Sequence, residues 1–170
     1  PINMNRQIIT ILLTGLLTSC TGLSGKTGFY SHTRSGDLWR LPLAEPYELI
    51  SPTNTDWFLV LKPHPDLHPD YVNSGDEFQL SSIDSAGLFK SVIVLHSTNV
   101  YWPRLAGSYK STLILDTATH KVWLFPDQQG EKIRSRLQEL TVTNIRLLPI
   151  GPVIRQFQDS LKLPDEWRNR

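Results

Sequence analysis

Hydrophobic and polar positions alternate in short runs over most of the chain, a pattern typical of β-strands joined by turns. The clearest pair is residues 112–116 followed by residues 120–125. Asp116 stands where its carboxylate can accept hydrogen bonds from the amides of the turn that follows. A second predicted hairpin joins residues 82–88 to residues 91–96, and the nearly unbroken apolar run of the second strand indicates burial on both faces.

A third hairpin is predicted for residues 48–51 and 57–61, because Pro52, Asn54 and Asp56 between them favour a turn. Residues 144–148 predict a last strand near the end of the chain.

Two helices are predicted among and after the last strands. In residues 130–140 the apolar positions 133, 137 and 140 are spaced by four and three, so they share one helical face. Residues 152–161 show a similar face, with Pro152 in the first turn and Pro164 beyond the end. Strands first and helices last predict an α+β fold, a mostly antiparallel β-sheet with one or two short C-terminal helices packed on one of its faces.

The N-terminal residues 8–17 differ from everything that follows, because they are apolar on all sides apart from two Thr and one Gly. A helix of this length rises only about 15 Å, half of the roughly 30 Å hydrocarbon core of a bilayer. After the single positive charge of Arg6, such a run is typical of the hydrophobic part of a signal peptide, and translation is expected to begin at Met4.

The next four residues, Leu17, Thr18, Ser19 and Cys20, resemble the lipobox of bacterial lipoproteins. The resemblance implies that a lipoprotein signal peptidase recognises the first three and cuts before Cys20. It also implies lipid attachment at Cys20, a covalent diacylglycerol on the thiol and an N-acyl chain on the new amine. These lipids are the only attached groups expected, and no separate cofactor is predicted. Cys20 is the one Cys of the chain, so no internal disulfide can form.

The chain therefore divides into a lipoprotein signal peptide (1–19), a flexible tether rich in Gly, Ser and Thr (20–28) and a single α+β domain (29–170). Thr21, rather than Asp, follows the Cys. By the lipoprotein resemblance this favours the outer membrane, facing the periplasm. The formal charge is +1, and removal of Arg6 with the signal peptide makes it zero. This balance predicts no nucleic-acid partner and a membrane contact made by the lipid anchor.

The most unusual polar motif is a tandem His-Pro-Asp that contains His64 and His68. Two His four residues apart can bind a metal on one face of a helix, but Pro65 and Pro69 disfavour that helix. A Pro-rich surface loop is the favoured interpretation, so the two His are weak candidates and no metal is predicted.

No catalytic residue is assigned. Whether the protein is an enzyme stays open, and a protein without catalytic activity is favoured. A nucleophile elbow of the form Gly-x-Ser-x-Gly is missing from the sequence. His96 is expected to be a hydrogen-bonded residue at the end of its strand, and His120 to lie in a hairpin turn. The possible interaction surface is the loop with Tyr101, Trp102 and Arg104, since aromatic and Arg side chains recur at binding hot spots.

Residues 78–148 weakly resemble small uncharacterised bacterial envelope proteins, in an Ile-Asp-Ser-Ala-Gly turn before an aliphatic strand, then Leu-Ile-Leu-Asp-Thr and a short helix. The expected function is that of a lipid-anchored cell-envelope protein, a non-enzymatic protein-binding or accessory factor. One alternative is an immunity protein that neutralises a periplasmic toxin. Another is a metal-dependent hydrolase or ligand-binding lipoprotein that uses His64 and His68.

Overall fold

The computed structural model describes residues 28–61, 78–101 and 110–167. This part of the chain is mostly antiparallel β-sheet with two short α-helices, so the predicted α+β fold is confirmed. The elements in chain order are β1 (Arg34–Ser35), β2 (Leu38–Ala44), β3 (Tyr47–Ser51), β4 (Leu59–Leu61), β5 (Phe78–Phe89), β6 (Val92–Tyr101), β7 (Ser111–Asp116), β8 (Lys121–Pro126), a 3-10 helix (Asp127–Gln129), α1 (Gly130–Glu139), β9 (Leu148–Pro149), α2 (Ile150–Ser160) and a second 3-10 helix (Asp165–Trp167).

The strands form two sheets, a small one in the order β1-β2-β3 and a large one in the order β4-β5-β6-β7-β8, with β9 beside β5. The two hairpins predicted around β6 and β7 are confirmed: β5 pairs with β6, and β7 pairs with β8. Asp116 accepts hydrogen bonds from the Ala118 amide at 3.1 Å and from the Thr119 hydroxyl at 2.7 Å. Its predicted role at the β7–β8 turn is therefore confirmed.

The hairpin predicted for residues 48–51 and 57–61 is wrong. These two segments share only an isolated bridge between Ile50 and Phe58. β3 pairs instead with β2, and β4 pairs with β5. Because β2 and β5 offer ladders of several residues each, the two segments gain more backbone hydrogen bonds in separate sheets than they would from each other.

The strand predicted for residues 144–148 is also wrong in extent, since only Leu148–Pro149 pairs, opposite Ser85 and Ala86 of β5. The preceding residues cross the face of β5 instead of running along its edge. At Gly87 of β5, an added Cβ would lie only 2.8 Å from the carbonyl oxygen of Arg146. Glycine therefore permits this close crossing.

The larger hydrophobic core lies between the small sheet, one face of the large sheet and α2. α2 contributes Val153, Ile154 and Phe157, which are all buried and which recur at helical spacing on one face. A helix with this many buried residues is an integral part of the core.

A smaller core lies on the opposite face of the large sheet, and α1 packs there. The expectation that both helices share one face is therefore wrong. In β6, Ile93 and Leu95 point to the larger core while Val92 and Val94 point to the smaller one. A strand that is apolar on both sides needs cover on both sides, so the two helices are divided between the faces.

Candidate functional site

A cluster of polar side chains among the described residues is centred on His96. This residue does not end its strand, as the sequence suggested, because β6 continues to Tyr101. His96 pairs in register with Ser85 of β5 and Thr112 of β7. It follows Val92 and Val94 at alternate positions of β6, so it lies on the same sheet face as the smaller core and α1.

One side of the His96 ring contacts Asp84. The ring Nδ1 lies 2.9 and 2.8 Å from the two carboxylate oxygens of Asp84. Asp84 stands at a β-bulge, where the β5–β6 register shifts between Ile83 and Ser85. The bulge gives β5 an extra residue that can turn towards a neighbour in β6. The hydroxyl of Ser85 donates a further hydrogen bond to Asp84 at 2.7 Å, which orients the carboxylate.

The other side of the ring contacts Asp127. The ring Nε2 lies 3.0 and 3.2 Å from the carboxylate oxygens of Asp127, in the 3-10 helix that leads into α1. The Asp127 amide donates to the Lys110 carbonyl at 3.1 Å, which holds this helix beside the start of β7. Asp84, His96 and Asp127 are called the Asp–His–Asp cluster below.

The geometry of this cluster requires a charged His96 ring. Ionised carboxylates only accept hydrogen bonds, so the ring can donate to both only when both of its nitrogens carry a proton. Partial burial lowers the pKa of His96, but the hydrogen bonds and charges of Asp84 and Asp127 outweigh it and raise that pKa above its ordinary 6.5. With both nitrogens engaged, the ring offers no lone pair for a metal ion or for base catalysis in this arrangement.

A second polar contact joins the two sheets. The Tyr47 hydroxyl at the start of β3 lies 2.7 Å from Nδ1 of His120. His120 lies in the β7–β8 turn, as predicted, and has a left-handed backbone with φ of 55°. Burial and the nearby charge of Asp116 raise the pKa of Tyr47, so its hydroxyl stays protonated at neutral pH. A protonated, buried Tyr is suited to a structural hydrogen bond.

The start of the described chain is fixed to the small sheet. The Arg40 guanidinium stacks over the Phe29 ring at 4.9 Å and forms an ion pair with Glu48. The Arg40 amide also donates to the Thr33 carbonyl at 2.9 Å. Beside this segment lies an open cleft, where residues 31–34 face the C-terminal end of α2 at residues 158–161. Its lining mixes hydroxyl, basic and acidic groups with the exposed Leu161.

Most of the sites predicted from the sequence lie outside the described residues. These are the lipobox with its lipid attachment residue, the His-Pro-Asp motif and most of the predicted interaction surface (Leu17, Thr18, Ser19, Cys20, His64, His68, Trp102 and Arg104). The expectation that Tyr101 lies in a loop is wrong, because its backbone is the last position of β6 and pairs with Gln79 of β5. The expectation that His96 is hydrogen-bonded is confirmed.

Sequence reasoning missed the two carboxylates that hold His96. Asp84 and Asp127 lie 12 and 31 residues away from it along the chain, and no motif spacing connects them. The available signal was an acidic residue, Asp84, inside a predicted strand. That signal alone does not indicate which side chain the carboxylate will meet.

Comparison with known proteins found no matching family model, no matching curated protein and no matching solved structure.

Within residues 28–61, 78–101 and 110–167, no group of three or more His, Cys, Asp or Glu side chains is arranged to hold a metal ion. No helix in these same ranges is both long and apolar enough to cross a membrane.

Proposed function

We propose that the protein is a lipoprotein of the bacterial cell envelope, acylated at Cys20, whose folded part acts by binding another protein. The observation that carries the proposal is the sequence Leu17-Thr18-Ser19-Cys20 directly after an apolar run of signal-peptide length. Anchoring by more than one acyl chain is stable, whereas a single chain binds a membrane only marginally. The outer membrane, on its periplasmic side, is the proposed location.

The start of the described fold supports this arrangement. Gly28, the first described residue, accepts a hydrogen bond from the Ser31 hydroxyl, and Phe29 stacks with Arg40 of the small sheet. Eight residues after Cys20 the chain has thus reached the fold, and a fully extended segment of that length spans no more than about 28 Å. A short tether of this kind would hold the folded part close to the membrane surface.

Binding is favoured over catalysis because the polar side chains of His96 and Tyr47 are engaged in contacts within the fold. The His96 ring faces a carboxylate at each nitrogen, and the Tyr47 hydroxyl has a raised pKa and contacts His120. Both arrangements join elements of the fold and leave no activated nucleophile at either place. The proposed contact surface for the partner protein is formed by Tyr101, at the end of β6, with Trp102 and Arg104.

Acylation is tested by growing cells with radiolabelled palmitate and isolating the full-length protein. The wild type is expected to carry the label and Cys20→Ala to carry none. Ser19→Ala is the matched control, because alanine keeps a small residue before the cleavage site and the label should remain. A wild type without label, or a Cys20→Ala protein that still carries it, would overturn the assignment.

Partner binding is tested by crosslinking the membrane-anchored protein in cells. Tyr101→Ala and Trp102→Ala should each remove one specific crosslinked species while the thermal unfolding midpoint stays unchanged. Lys132→Ala, on the exposed side of α1, is the control that should retain it. The same species in all variants would show that Tyr101 and Trp102 do not belong to the contact surface.

A further inference from the structure

The Asp–His–Asp cluster connects parts of the fold that differ in how firmly they are held. β5 and β6, which carry Asp84 and His96, already share a long antiparallel ladder. Asp127 belongs to the 3-10 helix that leads directly into α1. The contact between His96 and Asp127 therefore ties the start of α1 to the large sheet.

The remaining attachment of α1 to the sheet is thin. No residue of α1 is buried, and it contributes only half-buried apolar side chains, Ile133 and Leu137, to the smaller core. The Arg136 guanidinium stacks over the Trp123 ring at 4.6 Å. By contrast, α2 has four buried residues. An element with so little buried apolar surface is one that opens locally at low free-energy cost.

We propose that the Asp–His–Asp cluster is a proton-operated latch, which holds α1 on the sheet while the His96 ring is doubly protonated and loosens it when the ring loses a proton. A neutral imidazole has a single N–H and can donate to one carboxylate only. The other carboxylate then faces a nitrogen lone pair, and that contact is repulsive. One of the two hydrogen bonds must therefore break.

The geometry indicates that the Asp127 contact breaks. Nδ1 lies closer to Asp84, at 2.8 and 2.9 Å, than Nε2 lies to Asp127, at 3.0 and 3.2 Å. The Ser85 hydroxyl also holds Asp84 in place. The neutral ring therefore keeps its proton on Nδ1, and α1 loses the side-chain tie at Asp127, while the Asp127 amide stays bonded to the Lys110 carbonyl.

The charges around the ring set the direction of the pH response. Asp84 of β5 and Asp127 of the 3-10 helix both favour the charged ring, whereas Thr112 of β7 and Ser85 are uncharged. Arg136 contacts the Trp123 ring. The other charged side chains on the neighbouring segments are exposed and do not contribute to the raised pKa of His96: Lys110, Glu131, Lys132, Arg134 and Glu139. Because the native pKa is raised, the latch is closed below the unfolded value of 6.5 and opens as pH rises through the native pKa.

Hydrogen exchange of the full-length protein, measured between pH 5 and pH 9 and normalised to the intrinsic rate at each pH, tests the latch. Amides of α1 should lose about two- to fivefold in protection over this range, the size of one exposed ion pair, because the Asp84 and Asp127 side chains are 46% and 36% exposed. Amides of α2 are the internal reference and should change far less. A loss of protection that is equal in α1 and α2 would indicate general destabilisation and overturn the proposal.

Two variants separate the latch from a merely structural histidine. His96→Gln and Asp127→Asn should both show low protection of α1 at every pH, with no remaining pH response. His32→Gln removes an exposed His elsewhere and should keep the wild-type response. If His96→Gln retained the wild-type pH response of α1, another group would be responsible and the proposal would be wrong.

Discussion

Replacing Gly87 by alanine tests whether the crossing of β5 by residues 145–147 is as close as the structure has it. Gly87 is buried, and its added Cβ would lie 2.8 Å from the Arg146 carbonyl oxygen, 3.0 Å from Cγ1 of Ile145 and 3.1 Å from Cδ2 of Leu147. The first of these atoms belongs to the backbone and cannot rotate away. The crossing segment must therefore shift, although the β9 pairing that follows at Leu148 restrains it.

Two opposing effects decide the size of the change. Overpacking a close-packed site costs about 1–3 kcal/mol. The smaller conformational entropy of an unfolded chain with alanine returns about 0.4–1 kcal/mol. The free energy of unfolding is therefore expected to fall by about 1–2 kcal/mol, which for a chain of this size lowers the thermal midpoint by about 3–6 °C.

The measurement is urea unfolding of Gly87→Ala beside the wild type, followed by far-UV circular dichroism. Gly130→Ala is the matched control, because its added Cβ would find only the flexible Arg134 guanidinium, at 4.0 Å. That variant should be neutral or slightly more stable, since alanine is favoured over glycine in a helix. A Gly87→Ala protein as stable as Gly130→Ala would refute the close crossing.

Two further predictions concern turns. Thr141 follows α1 with a left-handed φ of 56°, and its amide donates to the Gln138 carbonyl at 2.9 Å. Thr141→Gly should therefore raise the free energy of unfolding by about 1 kcal/mol, seen as a higher urea midpoint, whereas Thr143→Gly should not. A lower midpoint for Thr141→Gly would contradict the strained cap. Burial raises the pKa of Asp116, but hydrogen bonds from Thr119 and other donors outweigh this effect and lower the pKa below 3.8. The Asp116 carboxylate therefore stabilises the fold fully above pH 3.8, and this stabilisation is lost as pH falls through the native pKa. Asp116→Asn should cost about 1–2 kcal/mol at pH 7 and less at pH 3, and an equal cost at both would contradict the charge assignment.

The local patterns of the chain were sufficient for its strongest elements. Short apolar runs on either side of a turn predicted the β7–β8 hairpin, and apolar positions spaced by three and four predicted both helices. These features depend on neighbours within a few residues, so the sequence alone specifies them. The wrong hairpin at residues 48–61 shows the limit: its two strands are correct in kind, but their partners lie in different sheets.

The candidate site depended on contacts that no local pattern encodes. Whether Asp84 meets His96 depends on a one-residue bulge in the β5–β6 register, because a shift of one position moves a side chain to the other face. Whether Asp127 completes the cluster depends on where β8 ends, because the 3-10 helix that carries Asp127 follows β8 directly. The Tyr47–His120 contact likewise requires the small sheet to lie against the large one.

The sequence by itself determined the α+β class, the two central hairpins and the two helices, because apolar runs between turn residues and a helical spacing of about 3.6 residues are local patterns. It also supplied the motif on which the proposed lipid anchor rests. Only the tertiary structure decided that the helices cover opposite faces and that His96 lies between two carboxylates. Those outcomes follow from strand register and from apolar surface that must be buried on both sides of one sheet.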